Sequence, residues 1–168
     1  LSPDESKMYF VSDRPGGLGS SDIWVVSLQA EGNFGIPRNL GSQINTEGRD
    51  TFPFFGEEDI LYFATDGRQG LGGLDVYASK LSEDGTFSDP QNLGRPVNSE
   101  YDDFGYIISS NNIGFVSSNR SGGKGDDDIY AFTQLRKLEF ECLQDLQIKV
   151  TDHKTGRILS DARITITD

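Results

Sequence analysis

Tyr62-Phe63-Ala64-Thr65-Asp66-Gly67, followed by Gly70-Leu71-Gly72-Gly73 and Asp75-Val76-Tyr77, is the stretch on which the fold turns, because it occurs three times. The earlier copy is Tyr9-Phe10-Val11-Ser12-Asp13-Arg14, Gly16-Gly17-Leu18-Gly19, Asp22-Ile23-Trp24; the later one is Phe115-Val116-Ser117-Ser118-Asn119-Arg120, Gly122-Gly123-Lys124-Gly125, Asp128-Ile129-Tyr130. Asp22, Asp75 and Asp128 stand 53 residues apart, as do Gly17, Gly70 and Gly123. A second block keeps the same period: Pro37, Asn39, Leu40, Gly41, Asn45 and Asp50 return as Pro90, Asn92, Leu93, Gly94, Asn98 and Asp103. A fixed period of this length is the mark of a repeat architecture.

Within one period the residues predict four strands. Phe52–Phe55 is read as the inner strand, then Ile60–Thr65, rich in β-branched and aromatic residues, then Asp75–Leu81. A short outer segment over Thr86–Leu93 is interrupted by Pro90, which suits an edge because proline donates no ladder hydrogen bond. Four antiparallel strands per repeat of this length predict a β-propeller blade rather than a helical solenoid. The fold class expected is therefore all-β: a partial propeller of about two and a half four-stranded blades over residues 1–138, the most complete at about 50–98.

The repeat is expected to end near Thr133; Phe140-Glu141-Cys142-Leu143 has no counterpart at the 53-residue spacing, and Leu138-Glu139-Phe140 reads either as the last blade's outer strand or as a linker. Residues 139–168 read as the first strands of a β-sandwich, with alternation at Leu146–Val150 and Ala162–Ile166 around a polar turn at Asp152–Gly156. Both ends fall inside structural units, which predicts a piece of a larger protein; assembly of several copies into one ring is the alternative.

Composition agrees with short strands and many turns. Among 168 residues there are 20 glycines, 11 phenylalanines and 6 tyrosines, and no long stretch of helical periodicity. With 15 basic against 27 acidic residues the net charge is −12, which argues against nucleic acid and against an anionic membrane surface, since both are bound by neutralising phosphate. No apolar run is long enough to span a membrane. The single cysteine, Cys142, excludes an intrachain disulfide and a multi-cysteine metal site.

Most motif residues have an architectural reading. Asp22, Asp75 and Asp128 are placed to cap backbone N–H groups of the preceding glycine turn, and Asp13, Asp66 and Asn119 to do the same from its other end. Trp24, Tyr77 and Tyr130 are expected between blades, with Trp24 as core rather than as a ligand shelf. Recurrence in every copy points away from catalysis, and the only histidine, His153, lies beyond the blades. No catalytic residue is expected, and a Cys142–His153 pair is not counted as one. Asp126, Asp127 and Asp128 offer hard oxygen ligands, so calcium is one reading of that loop and a solvated turn the other. Glu100, Asp102 and Asp103 form a second acidic stretch with the same two readings.

Ser2-Pro3-Asp4, Tyr9–Arg14 and Asp22-Ile23-Trp24 resemble the WD40-like, TolB-type propeller repeat. Asn39-Leu40-Gly41, Ile44-Asn45-Thr46, Gly70–Asp75 and Ser118-Asn119-Arg120 are similar to a narrower group, the envelope proteins of Bacteroidetes-type bacteria that join such a propeller to a carboxypeptidase-regulatory-like sandwich and an OmpA-like domain. Val150-Thr151-Asp152, Thr155-Gly156 and Asp161-Ala162 resemble the opening of that sandwich. The sequence departs from the pattern at Glu5, where a turn glycine is usual, and at Gly56–Asp59, where the Ser-Pro-Asp turn has eroded. The resemblance implies a periplasmic, outer-membrane-associated protein without enzymatic activity. It would bind other envelope proteins, some of them of the type IX secretion and gliding machinery, and reach peptidoglycan through a domain outside this chain. A glycan-binding or glycan-processing propeller is the alternative, and a calcium-stabilised binding module a second one.

Overall fold

In the middle repeat the run Ile60-Leu61-Tyr62-Phe63-Ala64-Thr65 is apolar on both faces of an extended strand, and all six residues are buried. A strand presents alternate residues to opposite sides, so such a run requires cover above and below. The computed structural model supplies both covers. It describes residues 1–140, 149–159 and 162–164.

Ten strands are present among the described residues: β1 (Lys7–Ser12), β2 (Asp22–Ser27), β3 (Arg38–Asn39), β4 (Asp50–Phe55), β5 (Ile60–Thr65), β6 (Asp75–Lys80), β7 (Gln91–Asn92), β8 (Asp103–Ile108), β9 (Ile113–Ser118) and β10 (Asp128–Thr133). They form three antiparallel sheets, in the orders β1-β2-β3, β4-β5-β6-β7 and β8-β9-β10. Each neighbour in sequence is a neighbour in space, and every strand from β5 onward begins one period after its counterpart. The chain is all-β.

Two apolar clusters join the sheets face to face. Ile23 and Ile44 of the first repeat meet Phe55, Leu61, Phe63 and Tyr77 of the second, with Tyr9, Leu40 and Phe87 at the margin. The other face of the middle sheet gives Ile60, Tyr62, Val76 and Ala78 to the second cluster, where they meet Tyr106 and Val116. Leu93, Val97, Ile108, Tyr130 and Phe140 stand at its margin. Displaced by one period, Tyr9, Ile23, Leu40, Ile44, Phe55, Tyr77 and Phe87 become Tyr62, Val76, Leu93, Val97, Ile108, Tyr130 and Phe140. The second joint is the first, moved along the chain by one repeat. Stacked rings hold both: Tyr9 on Phe55 at 4.9 Å, Tyr62 on Tyr106 at 4.7 Å and Tyr106 on Phe132 at 5.0 Å between centroids. Each such pair contributes about 0.5–1.5 kcal/mol beyond the area it buries.

The structure corrects one boundary. The expected outer strand over Thr86–Leu93 shrinks to Gln91–Asn92. Pro90 brings no N–H to a ladder, and the residues before it are held instead by a Leu81–Phe87 bridge and by Ser88, whose carbonyl accepts from Ser79 Oγ at 2.6 Å. Leu138 and Phe140, read as outer strand or linker, pack on the second cluster, where Phe140 takes the position that Phe87 has in the first. Of the expected sandwich, Asp152 does organise a tight turn, accepting from Lys154 N, Thr155 N and Thr155 Oγ1 at 2.7–3.1 Å. Thr151 bridges Ile158 across it. Cys142, residues 146–148 and residues 165–166 lie outside the described residues.

Candidate functional site

The three recurrent aspartates cap the loops that precede them. Asp22 accepts from Leu18 N (2.6 Å) and Gly19 N (3.0 Å), Asp75 from Leu71 N (2.5 Å) and Gly72 N (3.3 Å), and Asp128 from Lys124 N (2.8 Å) and Gly125 N (3.1 Å). Asp66 and Asn119 work across the sheet, taking the backbone N–H of Arg49 (2.6 Å) and of Asp102 (2.9 Å). The Arg49 guanidinium adds an ion pair at 2.7 Å. Burial would raise the Asp66 carboxyl, but the Arg49 amide and guanidinium outweigh it and hold the group below its ordinary value. Asp13 is exposed.

Two buried asparagines stitch equivalent turns to β2 and β6. Asn45 accepts from Ile23 N and donates to Ile23 O and to Asn39 Oδ1; Asn98 repeats this with Val76 N, Val76 O and Asn92 Oδ1, all at 2.8–3.0 Å. The asparagine oxygens take the N–H groups of Ile23 and Val76, whose carbonyls also accept from Leu40 N and Leu93 N, and a buried backbone group left unpaired costs about 1–3 kcal/mol.

Arginines that sequence reasoning did not single out complete the arrangement. Arg120 donates to Pro96 O (3.1 Å) and Val97 O (2.6 Å), pairs with the fully buried Asp103 at 2.5 Å, and lies over the Tyr130 ring at 4.9 Å. In the preceding repeat Arg68 donates to Gln43 O (2.7 Å) and Ile44 O (3.2 Å), the counterparts of those carbonyls. Burial holds the Asp50 carboxyl above its ordinary value, outweighing the hydrogen bonds from Thr65 and Thr46 and the Arg68 charge, which all lower it. The recurrence of Ser12-Asp13-Arg14 as Ser118-Asn119-Arg120 was the signal for this clamp.

The acidic candidates do not converge. The Asp128 carboxylate faces its own loop, Asp126 and Asp127 are exposed, Glu100 pairs with Arg95 at 2.9 Å, and Asp102 accepts from Leu74 N at 2.8 Å. Among the described residues no three histidine, cysteine, aspartate or glutamate side chains form a metal-holding group. His153 is exposed in its turn, and Trp24 is buried beneath Arg14, whose guanidinium sits 5.3 Å from its ring centre.

What remains open is a surface. The outward face of the third sheet carries Ile107, Ile113, Phe115 and Ile129. Ile129 is 74% exposed, although its counterparts Ile23 and Val76 are both at 0%; Phe115 is 43% exposed against 4% for Tyr62. A shallow hollow opens there between Phe54, Ile107, Ile113 and Phe115. Single exposed apolar side chains are ordinary, but these four lie together on one sheet face, and the middle sheet buries its residues at the positions of Ile113, Phe115 and Ile129.

No known family, curated protein or solved structure matches the chain. The surface therefore has to be read on its own chemistry.

Proposed function

We propose that the three sheets are successive blades of a β-propeller and that the chain is a non-catalytic binding or scaffolding module of a bacterial envelope protein. The observation that carries the binding role is the outward face of the third sheet, where Ile129 is exposed at a position that both other sheets bury and Phe115 at one that the middle sheet buries. Support for the propeller comes from the stacking of sequential antiparallel sheets through joints that recur once per period, with four strands in strict order in the middle one. The architectural engagement of Asp22, Asp75, Asp128, Asn45 and Asn98 favours a scaffold over an active site, because each is held by backbone groups of the joints. The periplasmic, outer-membrane-associated setting and the reach to peptidoglycan rest on the resemblance of the repeat to the TolB-type envelope group. Among the described residues no helix is long and apolar enough to cross a membrane.

The test is fractionation of native cells with an antibody against the chain, followed by crosslinking. The reading expects the antigen with outer membrane and peptidoglycan, and a crosslinked partner that is lost when Phe115 and Ile129 are both changed to lysine. Recovery in the cytoplasmic fraction refutes the setting; an unchanged partner in the double variant refutes the face.

A further inference from the structure

The two joints share a framework and differ at their outer margin. In the second, Leu138 and Phe140 pack on the apolar cluster, and the segment that carries them is fastened to β7, where Gln91 Nε2 donates to Glu139 O at 3.0 Å. One period earlier the places of Leu138, Phe140 and Gln91 are held by Gly85, Phe87 and Arg38. Phe87 packs on the first cluster as Phe140 does on the second. Gly85 brings no side chain, and a Cβ built on it would meet nothing within 4 Å. A cleft of about 260 Å³ opens beside it, with Tyr9, Val25, Leu40, Leu81 and Phe87 in its walls. The first joint is open where the second is filled.

Arg38 stands in the lining of this cleft, and Lys7 adds a second cation. The register of Arg38 is that of Gln91, since Arg38 lies opposite Val25 as Gln91 lies opposite Ala78. The counterpart of Glu139 O is Thr86 O, which accepts from Ser82 N at 2.8 Å within its own turn. Among the described residues no carboxylate pairs with Arg38 or Lys7. Burial pushes the Tyr9 phenol up to about 12 against the nearby Arg38 charge, while Asp4 and Asp59 act on it in the opposite sense.

The second joint shows what chemistry fits. There an aliphatic side chain packs on the cluster, and the next carbonyl oxygen is held by a side-chain amide. In the first joint the aliphatic group is missing and the donor is a guanidinium, whose charge and planar fork suit two oxygens rather than one. An aliphatic group that bears a carboxylate answers both changes. The cleft falls just below the range of sites for drug-sized ligands, about 300–1,000 Å³, which limits the occupant to a short chain. We propose that the cleft of the first joint is a binding site for a short branched aliphatic carboxylate, its alkyl end beside Gly85 and its carboxylate on the Arg38 guanidinium. Burial of the alkyl end against Leu40, Leu81 and Phe87 supplies most of the affinity, and the charged pair selects the acid over neutral analogues. The site is separate from the outward face of the third sheet, so the two readings can fail independently.

The probe is 4-methylpentanoate, whose alkyl end matches a leucine side chain, titrated into the full chain while methyl and amide resonances are followed by NMR. Its neutral comparison is 4-methylpentanamide. Measurement near 0.15 M salt shortens the reach of the −12 net charge to about 8 Å. Saturable binding of the acid with a Kd of about 1 mM is expected, with the largest methyl shifts at Val25, Leu40 and Leu81. The amide should bind about three- to fivefold more weakly, the effect of a single exposed ion pair. Arg38 is exposed, so Arg38→Gln should fold normally and lower the affinity for the acid to that for the amide. Arg38→Lys should keep part of the difference, since lysine retains the charge without the fork. Equal affinity for acid and amide overturns the proposal, as does Arg38→Gln with undiminished affinity for the acid. Shifts that grow without saturation to about 20 mM, or that centre on Ile113 and Ile129, overturn it too.

Discussion

Replacing one glycine by alanine in each of the three equivalent loops separates the joints from the sheets. A Cβ on Gly72 would lie 2.8 Å from Ser99 O and from Tyr101 N, and closer still to Tyr101 O; on Gly19 it would lie 2.7 Å from the carbonyl carbon of Glu47 and closer to Thr46 O and Gly48 O. On Gly125 the nearest atom is Asp127 O at 3.5 Å, an ordinary contact. None of the three has a positive φ, so steric space alone decides. In the first two cases the obstacle is backbone, and the loop must withdraw from the strand it guides. For Gly72→Ala that withdrawal strains the bonds from Asp103 N to Leu74 O (2.7 Å) and from Leu74 N to Asp102 Oδ1 (2.8 Å). Overpacking costs about 1–3 kcal/mol and each lost hydrogen bond about 1 kcal/mol, while alanine recovers about 0.4–1 kcal/mol through the unfolded chain. The net expectation is a loss of about 2–4 kcal/mol for Gly72→Ala and a similar loss for Gly19→Ala, against a gain of up to about 1 kcal/mol for Gly125→Ala. Urea unfolding followed by tyrosine and tryptophan fluorescence measures all three. A Gly125→Ala loss as large as that of Gly72→Ala would refute the account, because the third loop has no strand to collide with.

The two buried aspartates at equivalent positions should respond unequally to neutralisation: Asp103→Asn removes the partner of Arg120 and is expected to cost about 2–3 kcal/mol in urea melts, below the full value for a buried pair because Arg120 keeps two carbonyls, whereas Asp50→Asn should change stability by less than about 1 kcal/mol. The pH dependence follows from the raised Asp50 carboxyl. Its contribution is fully present below 3.8, the ordinary value, and falls as pH rises through the higher folded value, so the stability of the wild type relative to Asp50→Asn should decline from pH 4 to pH 8; a relative gain with pH would contradict it. Phe52 holds a positive φ of 50° in the bulge of β4, where Gly105 stands in β8 with φ 62°. Phe52→Gly should relieve about 1–2 kcal/mol of strain while losing the stack on Phe104, leaving thermal stability nearly unchanged, although Phe63→Ala in the first cluster should cost about 3–5 kcal/mol.

The repeat made much of the fold legible, because a constant spacing survives errors in any single strand. Ile60–Thr65 coincides with β5, and Asp22, Asp75 and Asp128 reach the loop amides that their short side chains suggested, whereas Asp66 and Asn119 reach the amides of Arg49 and Asp102 instead of the glycine turn. Strand edges were less legible. Asp50 and Thr51 belong to β4 because β5 pairs with them across a bulge, a tertiary cause that local propensity does not carry. The end of the repeat is hard to read because its last portion keeps the spacing with altered residues: Phe140 follows Phe87, and Gln144-Asp145-Leu146 follows Gln91-Asn92-Leu93 in sequence, with the glycine replaced by Gln147. Arginines 14, 68 and 120 escaped notice for a related reason. Arg68 is displaced by one position from the other two, and its side chain restores by length what the spacing loses. The surface on the third sheet was hidden because Ile129 looks like Val76 in sequence, and only the neighbouring sheet tells them apart.

The displacement of the first joint into the second by one period bears on how such a chain changes length. A cut placed between Ile44 and Phe55, with one full period excised and the ends rejoined, leaves a seam whose two sides already fit each other, since Tyr9 would then face the partners of Tyr62 and Ile44 those of Val97. An excision longer or shorter by a single position would turn every inward side chain of one strand outward. Genetic exchange between misaligned copies of the repeat is thus filtered by geometry before it is filtered by function. Whole-period losses and gains remain foldable, and the number of repeats can drift while each joint stays the same.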